Sequence, residues 1–372
     1  MIDRRQIIVV AYSARALASC AVKAGFAPLS IDVYGDEDTR ATSRASMTLD
    51  GGLIEGLTLD KVAGAVEALT GAYDPIGLIY GAGFEDQPET LAAIAGRTSI
   101  IGNSAEALKR AKDPLALAEL CATNNIRHPP IAFDLPDEPE LWLVKKRGGA
   151  GGDHIAVAHP SIGASVERYF QRRVAGNSIS ALFLATERKA EIIGLSVQWT
   201  APTPASPFRY GGAAGPVEID PQQAGEIARA TAIIAAELNL VGLNSIDFLV
   251  GDDAVWLIEI NPRPGATLDV FESNEAPLVA RHIAACEGQL TPAPAMVTFR
   301  AAEIVYAPHD IVVRMNRNWP DWAHDRSAPG TRIAAGDPLC TTVACGLSVD
   351  LARAGARERA REIVALVQEA EP

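Results

Sequence analysis

Residues 244–265, NSIDFLVGDDAVWLIEINPRPG, constrain the fold of this chain more than any other segment. Ser245–Val250 and Val255–Ile260 are apolar runs of strand length, and the Gly-Asp-Asp-Ala sequence between them is typical of a tight turn. The two runs are therefore predicted to pair as an antiparallel β-hairpin. A mainly antiparallel sheet packed with helices, the α+β class, accommodates such a hairpin.

The hairpin is predicted to bring two carboxylates together. If its turn centres on Asp253, Asp247 lies directly opposite Glu259, with Cβ atoms about 5 Å apart. Asn261 shares the face of Glu259, because side chains alternate along a strand. A divalent cation removes the repulsion between the carboxylates, and Mg²⁺ is commonly held by one or two carboxylates together with phosphates and water. The alternative is an ordinary surface hairpin that happens to carry acidic residues.

A second group of residues combines cations with glycines. The predicted strand Leu141–Lys145 leads into a loop with four glycines, at Gly148, Gly149, Gly151 and Gly152. Because the lysine precedes the glycines, the loop is not a P-loop, and because Ile155–Ala158 reads as strand, it is not a dinucleotide fingerprint. Loop amides can bind phosphate oxygens, although a flexible hairpin would show the same pattern. Together with the carboxylates, the lysine and the loop predict a nucleoside triphosphate site.

The N-terminal part of the chain alternates strands and helices. Ile7–Ala11 reads as a strand, Ser13 as a helix N-cap, Arg15–Ala24 as a helix and Pro28–Val33 as a second strand. This is the start of a parallel, doubly wound α/β region. Further elements are predicted at Thr58–Thr70 (helix), Ile76–Tyr80 and Ser99–Ile101 (strands), and on both sides of Pro114 (helices).

The remainder of the chain is predicted to be α+β. Strands are expected at Leu141–Lys145, Ile155–Ala158, Ser178–Leu184 and Glu191–Trp199, and helices at Gln222–Leu238 and Leu351–Ala370. The stretch Thr291–Pro338 is rich in Pro, Gly and Trp, which predicts short strands joined by turns.

Composition limits the classes of function. The 372 residues exceed one ordinary hydrophobic core, so two or three domains are expected. A net charge of -13 argues against general affinity for nucleic acid or anionic membranes, so small-molecule partners are favoured. No apolar run approaches the ~18 residues that span a bilayer, and we expect a cytoplasmic protein. Five scattered cysteines predict neither a disulfide framework nor a zinc site.

These parts, in this order, resemble the ATP-grasp superfamily over roughly Leu108–Gly265. The resemblance implies an ATP-grasp fold that combines α/β and α+β regions. An N-terminal Rossmann-like domain is expected at residues 1–104, an ATP-binding core at 105–290, and a small C-terminal β-lobe with a closing helix at 291–372.

The resemblance also assigns roles to residues. Lys112 and Lys145 correspond to the lysines that bind the ATP phosphates, and the glycine loop corresponds to the flap over them. Mg²⁺ (or Mn²⁺) is expected at Asp247, Glu259 and Asn261, and Arg263 corresponds to the arginine that binds substrate or acyl phosphate; Lys145 and Arg263 are the expected catalytic residues. The adenine contacts are expected at Gln171, Arg172, Arg173 and Val174, where the family often has an acidic residue that this chain lacks.

The implied activity is that of an ATP-dependent ligase joining a carboxylate to an amine through an acyl phosphate. Three segments, SAR (13–15), YGD (34–36) and FRYGG (208–212), resemble a group of carboligases, some of which join glutamate to a tyrosine- or tyramine-like amine for one-carbon coenzymes. Arg15, Arg209 and Tyr210 are the candidate substrate residues, whereas His154 is expected to have no role. A homodimer is expected because related ligases are commonly dimers. A carboxyphosphate-forming carboxylase and a nucleotide-binding protein without ligase activity are the alternatives.

Overall fold

The computed structural model describes residues 4–163, 165–292, 294–314 and 319–368. The elements of the N-terminal region are β1 (Gln6–Val10), α1 (Arg15–Lys23), β2 (Ala27–Asp32), α2 (Glu37–Thr42), β3 (Ala45–Thr48), α3 (Gly52–Glu55), α4 (Leu59–Ala72), β4 (Pro75–Tyr80) and α5 (Pro88–Ala95). Its strands form a four-stranded parallel sheet of order β3-β2-β1-β4 that is covered by helices. The predicted βαβ opening is confirmed.

The core of this sheet explains why its strands are apolar runs. Ile7, Ile8, Val9 and Val10 of β1 are all fully buried, because helices cover both faces of a parallel sheet. Ser13 does not cap α1 as predicted. The N-cap residue is Ala14, and the Ser13 hydroxyl instead donates to Asp325 at 2.8 Å, a partner more than 300 residues away in sequence. The strand predicted at Ser99–Ile101 is reduced to a single bridge between Leu78 and Ile100.

Two helices and a small antiparallel sheet come next. They are α6 (Ala105–Lys112), α7 (Pro114–Thr123), β5 (Ile131–Ala132), β6 (Trp142–Lys146), β7 (Ile155–Val157) and β8 (Arg168–Arg172). The sheet has the order β5-β8-β6-β7. As predicted, the helices lie on either side of Pro114, which occupies the first turn of α7 while the Asp113 carboxylate caps that helix.

An eight-stranded antiparallel sheet forms the centre of the molecule. The elements of this half of the chain are β9 (Asn177–Ala185), β10 (Ala190–Thr200), β11 (Tyr210–Gly215), α8 (Pro221–Glu237), β12 (Gly242–Val250), β13 (Val255–Asn261), α9 (Leu268–Phe271), α10 (Leu278–Cys286), β14 (Phe299–Tyr306), β15 (Ile311–Val312), β16 (Ala323–His324), β17 (Arg332–Ile333), β18 (Pro338–Gly346) and α11 (Val349–Gln368). The order of the strands in the central sheet is β13-β12-β9-β10-β11-β14-β18-β16.

The C-terminal strands continue the central sheet across the expected boundary at residues 290 and 291. β14 pairs with β11, and β18 pairs with β14, while α11 packs against both C-terminal strands. The division of the chain into three domains stays a prediction. The closing helix begins two residues before its predicted start, and the last two residues predicted in it, Glu369 and Ala370, lie outside the described residues. No helix in the described part of the chain is both long enough and apolar enough to cross a membrane.

A buried arginine joins three regions of the fold. The Arg15 guanidinium, at the start of α1, contacts Asp269 Oδ1 at 2.5 Å and Asp325 Oδ2 at 2.9 Å. Asp269 lies on α9 and Asp325 lies in the C-terminal region. The side chain of Arg15 is only 6% exposed, so the two carboxylates provide the charge balance that burial requires.

We predict that Arg15→Leu lowers the free energy of unfolding by about 3–5 kcal/mol, because it leaves two partly buried carboxylates without their cation. Lys61→Leu is the matched control, since it removes the Lys61–Glu55 ion pair at the surface and should cost less than about 1 kcal/mol. Denaturant unfolding of both variants measures the difference. Equal, small losses would show that Arg15 does not hold the three regions together.

Candidate active site

The predicted register of the hairpin is confirmed at its acidic end, where Asp247 pairs with Glu259. The turn is centred half a residue earlier than predicted, since Phe248 pairs with Leu257 nearer the turn. Ile258 is left unpaired as a β-bulge. Because it is one extra residue on this strand, the pairing on the far side of the bulge from the turn is the predicted one. Bulges commonly redirect side chains next to functional sites, and this one directs Glu259 toward Asp247.

Lys112 reaches the acidic end of the hairpin from the last residue of α6. Its Nζ atom donates to Glu259 Oε1 at 2.5 Å and to Asn261 Oδ1 at 2.9 Å. Asn261 in turn donates through Nδ2 to Asp247 Oδ2 at 3.0 Å. Lys112 and the three predicted metal ligands of the hairpin therefore form one connected group.

The charges of this group shift the ionisation of its carboxyls in opposite directions. Burial would raise the pKa of Glu259, but the adjacent Lys112 ammonium outweighs it and holds this pKa below its ordinary value. Burial raises the pKa of Asp247, and the negative charge of Glu259 raises it further. One ammonium thus leaves part of the negative charge of the pair unbalanced.

Asp247, Glu259 and Asn261 fit a hard divalent cation. They offer two carboxylates and an amide oxygen on adjacent strands, which is the oxygen chemistry that Mg²⁺ and Mn²⁺ prefer. Burial is the main cause of the raised pKa of Asp247, and a cation at these oxygens would relieve the repulsion from Glu259 that raises it further. Within the described ranges, no group of three His, Cys, Asp or Glu side chains is arranged to hold a metal. The candidate set has two carboxylates, and Asn261 supplies its third oxygen.

Lys145 lies on β6 and is 4% exposed. Its Nζ atom donates to Gln171 Oε1 at 2.6 Å, and burial lowers the pKa of this lysine. Gln171 was predicted as an adenine contact, and its side chain is engaged with the lysine. The other predicted adenine residues end β8 and enter the connection to β9, between the two antiparallel sheets: Arg172, Arg173 and Val174. Their contact with adenine stays a prediction.

Arg263 is buried and is held by a residue that the sequence did not identify. Glu85 Oε1 accepts from Arg263 Nε at 2.8 Å, and Arg263 Nη2 is 3.3 Å from Asn261 Oδ1. Burial would raise the pKa of Glu85, but the Arg263 guanidinium outweighs it and the pKa is lowered. Glu85 follows β4, and the carboxyl ends of parallel strands are where such folds place functional groups. The position of Glu85 after a predicted parallel strand was the sequence signal that could have identified it as a site residue.

The glycine loop is closed over the site and packs against two other segments. A Cβ atom at Gly148 would lie 2.5 Å from the Glu85 carbonyl oxygen, and one at Gly152 would lie 2.1 Å from the Phe208 carbonyl oxygen. Tyr210 N donates to Gly151 O at 2.8 Å. The absence of side chains at Gly148 and Gly152 is therefore what permits this close packing of backbone on backbone.

A cavity beneath the loop gathers the predicted phosphate-binding groups. It lies between the two antiparallel sheets and α6, and its lining includes Lys112, Lys145, Gly149, His154 and Glu259. Two ammonium groups and a glycine loop around one cavity are suited to a multiply charged anion.

The candidate substrate residues have other partners in this structure. Arg15 is engaged by Asp269 and Asp325, as described above. The Arg209 guanidinium lies 3.5 Å from the centre of the Tyr306 ring and donates to Gly336 O at 2.8 Å. The carbonyl of Tyr210 accepts from the Tyr306 hydroxyl at 2.7 Å. Substrate roles for Arg15, Arg209 and Tyr210 stay predictions.

A wider cleft of about 700 Å³ lies at the turn end of the same hairpin, beside α8. Its lining includes the acidic residues Asp220, Glu226, Asp252 and Asp253, and among the described residues that line it there is no lysine or arginine. This cleft does not suit a phosphate-bearing ligand, so the smaller cavity is the candidate site.

Comparisons with known proteins show which family part of this chain resembles. Residues 111–267 match the family model described as ATP-grasp domain. The carbamoyl phosphate synthase large chain of Neisseria gonorrhoeae is 23% identical over 218 residues, which are 52% of this chain and 20% of that protein. The chain therefore spans about a fifth of the length of this curated relative.

Solved structures share the fold over nearly the whole chain. A biotin carboxylase–β,γ-ATP complex from Campylobacter jejuni has a TM-score of 0.74 at 12% identity, covering 98% of this chain and 95% of that one. An L-amino acid ligase from Bacillus licheniformis has a TM-score of 0.69 at 13% identity, covering 97% and 98%. The predicted fold class is confirmed by these similarities together with the sheets described above.

We predict that Gly148→Ala opens the glycine loop. Gly148 has a φ of +67°, where a side chain costs about 1–2 kcal/mol, and the new Cβ would also collide with the Glu85 carbonyl. Hydrogen exchange at the Tyr210 amide, which is bonded to Gly151, should accelerate by about tenfold or more. Gly163→Ala is the control, because a Cβ there meets no atom within 4 Å. Unchanged exchange in Gly148→Ala would contradict the closed loop.

Proposed function

We propose that the protein, whose residues 111–267 match the ATP-grasp domain model, is an ATP-dependent ligase that activates a carboxylate as an acyl phosphate and transfers it to an amine. One observation carries the proposal. Lys112, Lys145 and Glu259 line one cavity under a closed glycine loop, and Asp247 faces Glu259 across the hairpin. This arrangement supplies the cations, acids and backbone amides that binding and activation of a nucleoside triphosphate require.

Each group has a distinct task in the proposed reaction. Lys112 and Lys145 would bind the ATP phosphates, and the glycine loop would exclude the water that hydrolyses an acyl phosphate. Mg²⁺ or Mn²⁺ held by Asp247, Glu259 and Asn261 would neutralise charge on the phosphates. Nucleotide binding would release the Lys112 ammonium from its present bonds to Glu259 and Asn261, because both the cation and the phosphates compete for those partners.

Arg263 would bind the acyl phosphate. Its position is fixed by Glu85, which accepts a hydrogen bond and balances its charge in the buried site. A guanidinium held in this way loses little additional conformational entropy when it binds an anion. The adenine ring is assigned to the connection after β8, near Gln171 and Val174, between the two antiparallel sheets.

The proposed chemistry takes place in two steps. A carboxylate oxygen of the first substrate attacks the γ-phosphorus of ATP, the bond to the β,γ-bridging oxygen breaks, and ADP leaves. The amine nitrogen then attacks the acyl carbon, phosphate leaves and the nitrogen loses a proton. No side-chain nucleophile is required, so the residues act by positioning and by charge neutralisation.

The L-amino acid ligase among the structural neighbours supports an amine as acceptor. Glutamate as the acid and a tyrosine- or tyramine-like amine as the acceptor are the narrowest form of the proposal. A carboxylase that forms carboxyphosphate is a second candidate, because the neighbours include a biotin carboxylase and one sequence relative is a carbamoyl phosphate synthase large chain. In either case we propose a cytoplasmic enzyme, acting as a homodimer.

We predict that the purified protein releases ADP only when both a carboxylic acid and an amine are supplied. Panels of amino acids and amines, with glutamate and tyramine among them, are tested in pairs, and bicarbonate is tested separately. ADP release and amide formation should rise together in the productive pair. ADP release that depends on bicarbonate alone would contradict the ligase proposal and favour the carboxylase. ATP binding without ADP release under any condition would contradict both enzymatic proposals.

We predict that Glu259→Gln lowers ATP turnover by at least about 10²-fold while the protein stays folded, because a group that stabilises transferring phosphate is lost. Asp252→Asn is the matched control, since it removes a carboxylate from the turn of the same hairpin, away from the lysines. Steady-state ADP formation and thermal unfolding are measured for both. A fully active Glu259→Gln variant would contradict the assignment of this residue to the metal site.

A further inference from the structure

His154 ends the glycine loop immediately before β7, and it lines the same cavity as Lys112, Lys145 and Glu259. From the sequence alone, His154 is expected to have no role. Its ring lies beneath the loop, on the side that faces these charged groups, and no function described above uses it.

The glycine loop is shaped around the imidazole ring. A Cβ atom at Gly149 would lie 2.4 Å from His154 Cγ and Cδ2 and 2.6 Å from Nδ1, so the ring packs directly on the Gly149 backbone. Any side chain at position 149 would displace the ring from the cavity. The closed loop therefore fixes the position of the His154 ring.

The Nδ1 atom of His154 is buried and has no hydrogen-bond partner among the described residues. Burial lowers the pKa of the ring, which leaves a neutral imidazole with one N–H donor and one lone pair. Buried polar atoms in folded proteins almost always have a partner, so an exception beside a ligand cavity indicates that the ligand is the partner. The neighbouring lysines make an anion with several oxygens the ligand that fits.

We propose that His154 donates a hydrogen bond from Nδ1 to a terminal phosphate oxygen of ATP when the loop closes on the nucleotide. This inference rests on the proposed function, because ATP is its ligand. His154 supplies a neutral donor beside two lysines, and it couples closure of the loop to the presence of the phosphate. The residue acts on the nucleotide directly and is not required for the packing of the loop at Gly148 and Gly152, which involves backbone alone.

The matched pair His154→Asn and His154→Leu tests the proposal, because Asn and Leu have nearly the same shape and only Asn carries a donor near the position of Nδ1. Binding of a non-hydrolysable ATP analogue with Mg²⁺ is measured by calorimetry. His154→Leu should weaken binding by about 10–100-fold, the effect of losing a hydrogen bond to a charged group, whereas His154→Asn should stay within about threefold of the wild type. His159→Leu is the control, since His159 is exposed on the far side of β7 from the loop.

Thermal unfolding and hydrogen exchange at the Tyr210 amide are measured on the same variants, and both should be equal in the Asn and Leu forms. Equal affinity of the Asn and Leu variants, whether both weak or both normal, would overturn the inference, because shape alone would then explain His154. If the wild-type protein binds the analogue but turns over no substrate, the proposed ligase activity is contradicted, and the comparison of the His154 variants still tests the hydrogen bond. A wild type that does not bind the analogue contradicts both.

Discussion

Asp247 and Glu259 face each other on neighbouring strands in a partly buried position, and their negative charges require a counter-charge. Lys112 supplies one ammonium from the end of α6, and this requirement fixes how the helix meets the hairpin. Burial, together with the negative charge of Glu259, raises the pKa of Asp247, and these oxygens have the chemistry that suits a divalent cation. The rest of the site extends outward from this pair.

A chain of polar contacts connects the pair to the N-terminal region. Asn261 bonds both Asp247 and Lys112, Arg263 approaches Asn261, and Glu85 holds Arg263. The glycine loop rests on the carbonyl of Glu85, so the same short segment orients the arginine and supports the closed loop. A shift of the N-terminal region would therefore move both the arginine of the proposed acyl phosphate site and the backbone that supports the loop.

The central hairpin could be predicted from the sequence because its determinants are local. Turn residues and alternating side chains determined which residues face each other, and only the bulge at Ile258 was missed. The partnership of Glu85 with Arg263 could not be predicted, because the two residues are 178 positions apart and meet only when the N-terminal sheet packs on the core. The same reason explains Ser13, whose hydroxyl bonds a distant carboxylate instead of capping its own helix.

The pattern of apolar residues also did not predict one strand, because this strand lacks the residues typical of strands. β11 has the sequence YGGAAG, and its small residues pack under Trp199 and Phe271, so tertiary contact rather than propensity makes it a strand. Its pairing with β14 makes the central sheet continuous with the C-terminal strands. The role of His154 was hidden for a related reason, since an unpartnered nitrogen is visible only once the surrounding chain is in place.

The transfer of oxygen from substrate to phosphate tests the central claim most directly. The carboxylic acid that supports ADP release is labelled with ¹⁸O in its carboxylate and the inorganic phosphate is analysed by mass spectrometry. Activation through an acyl phosphate predicts one ¹⁸O atom in each phosphate released, because the bridging oxygen comes from the carboxylate. Phosphate without label would contradict the account, since the phosphoryl group would then have been transferred to water.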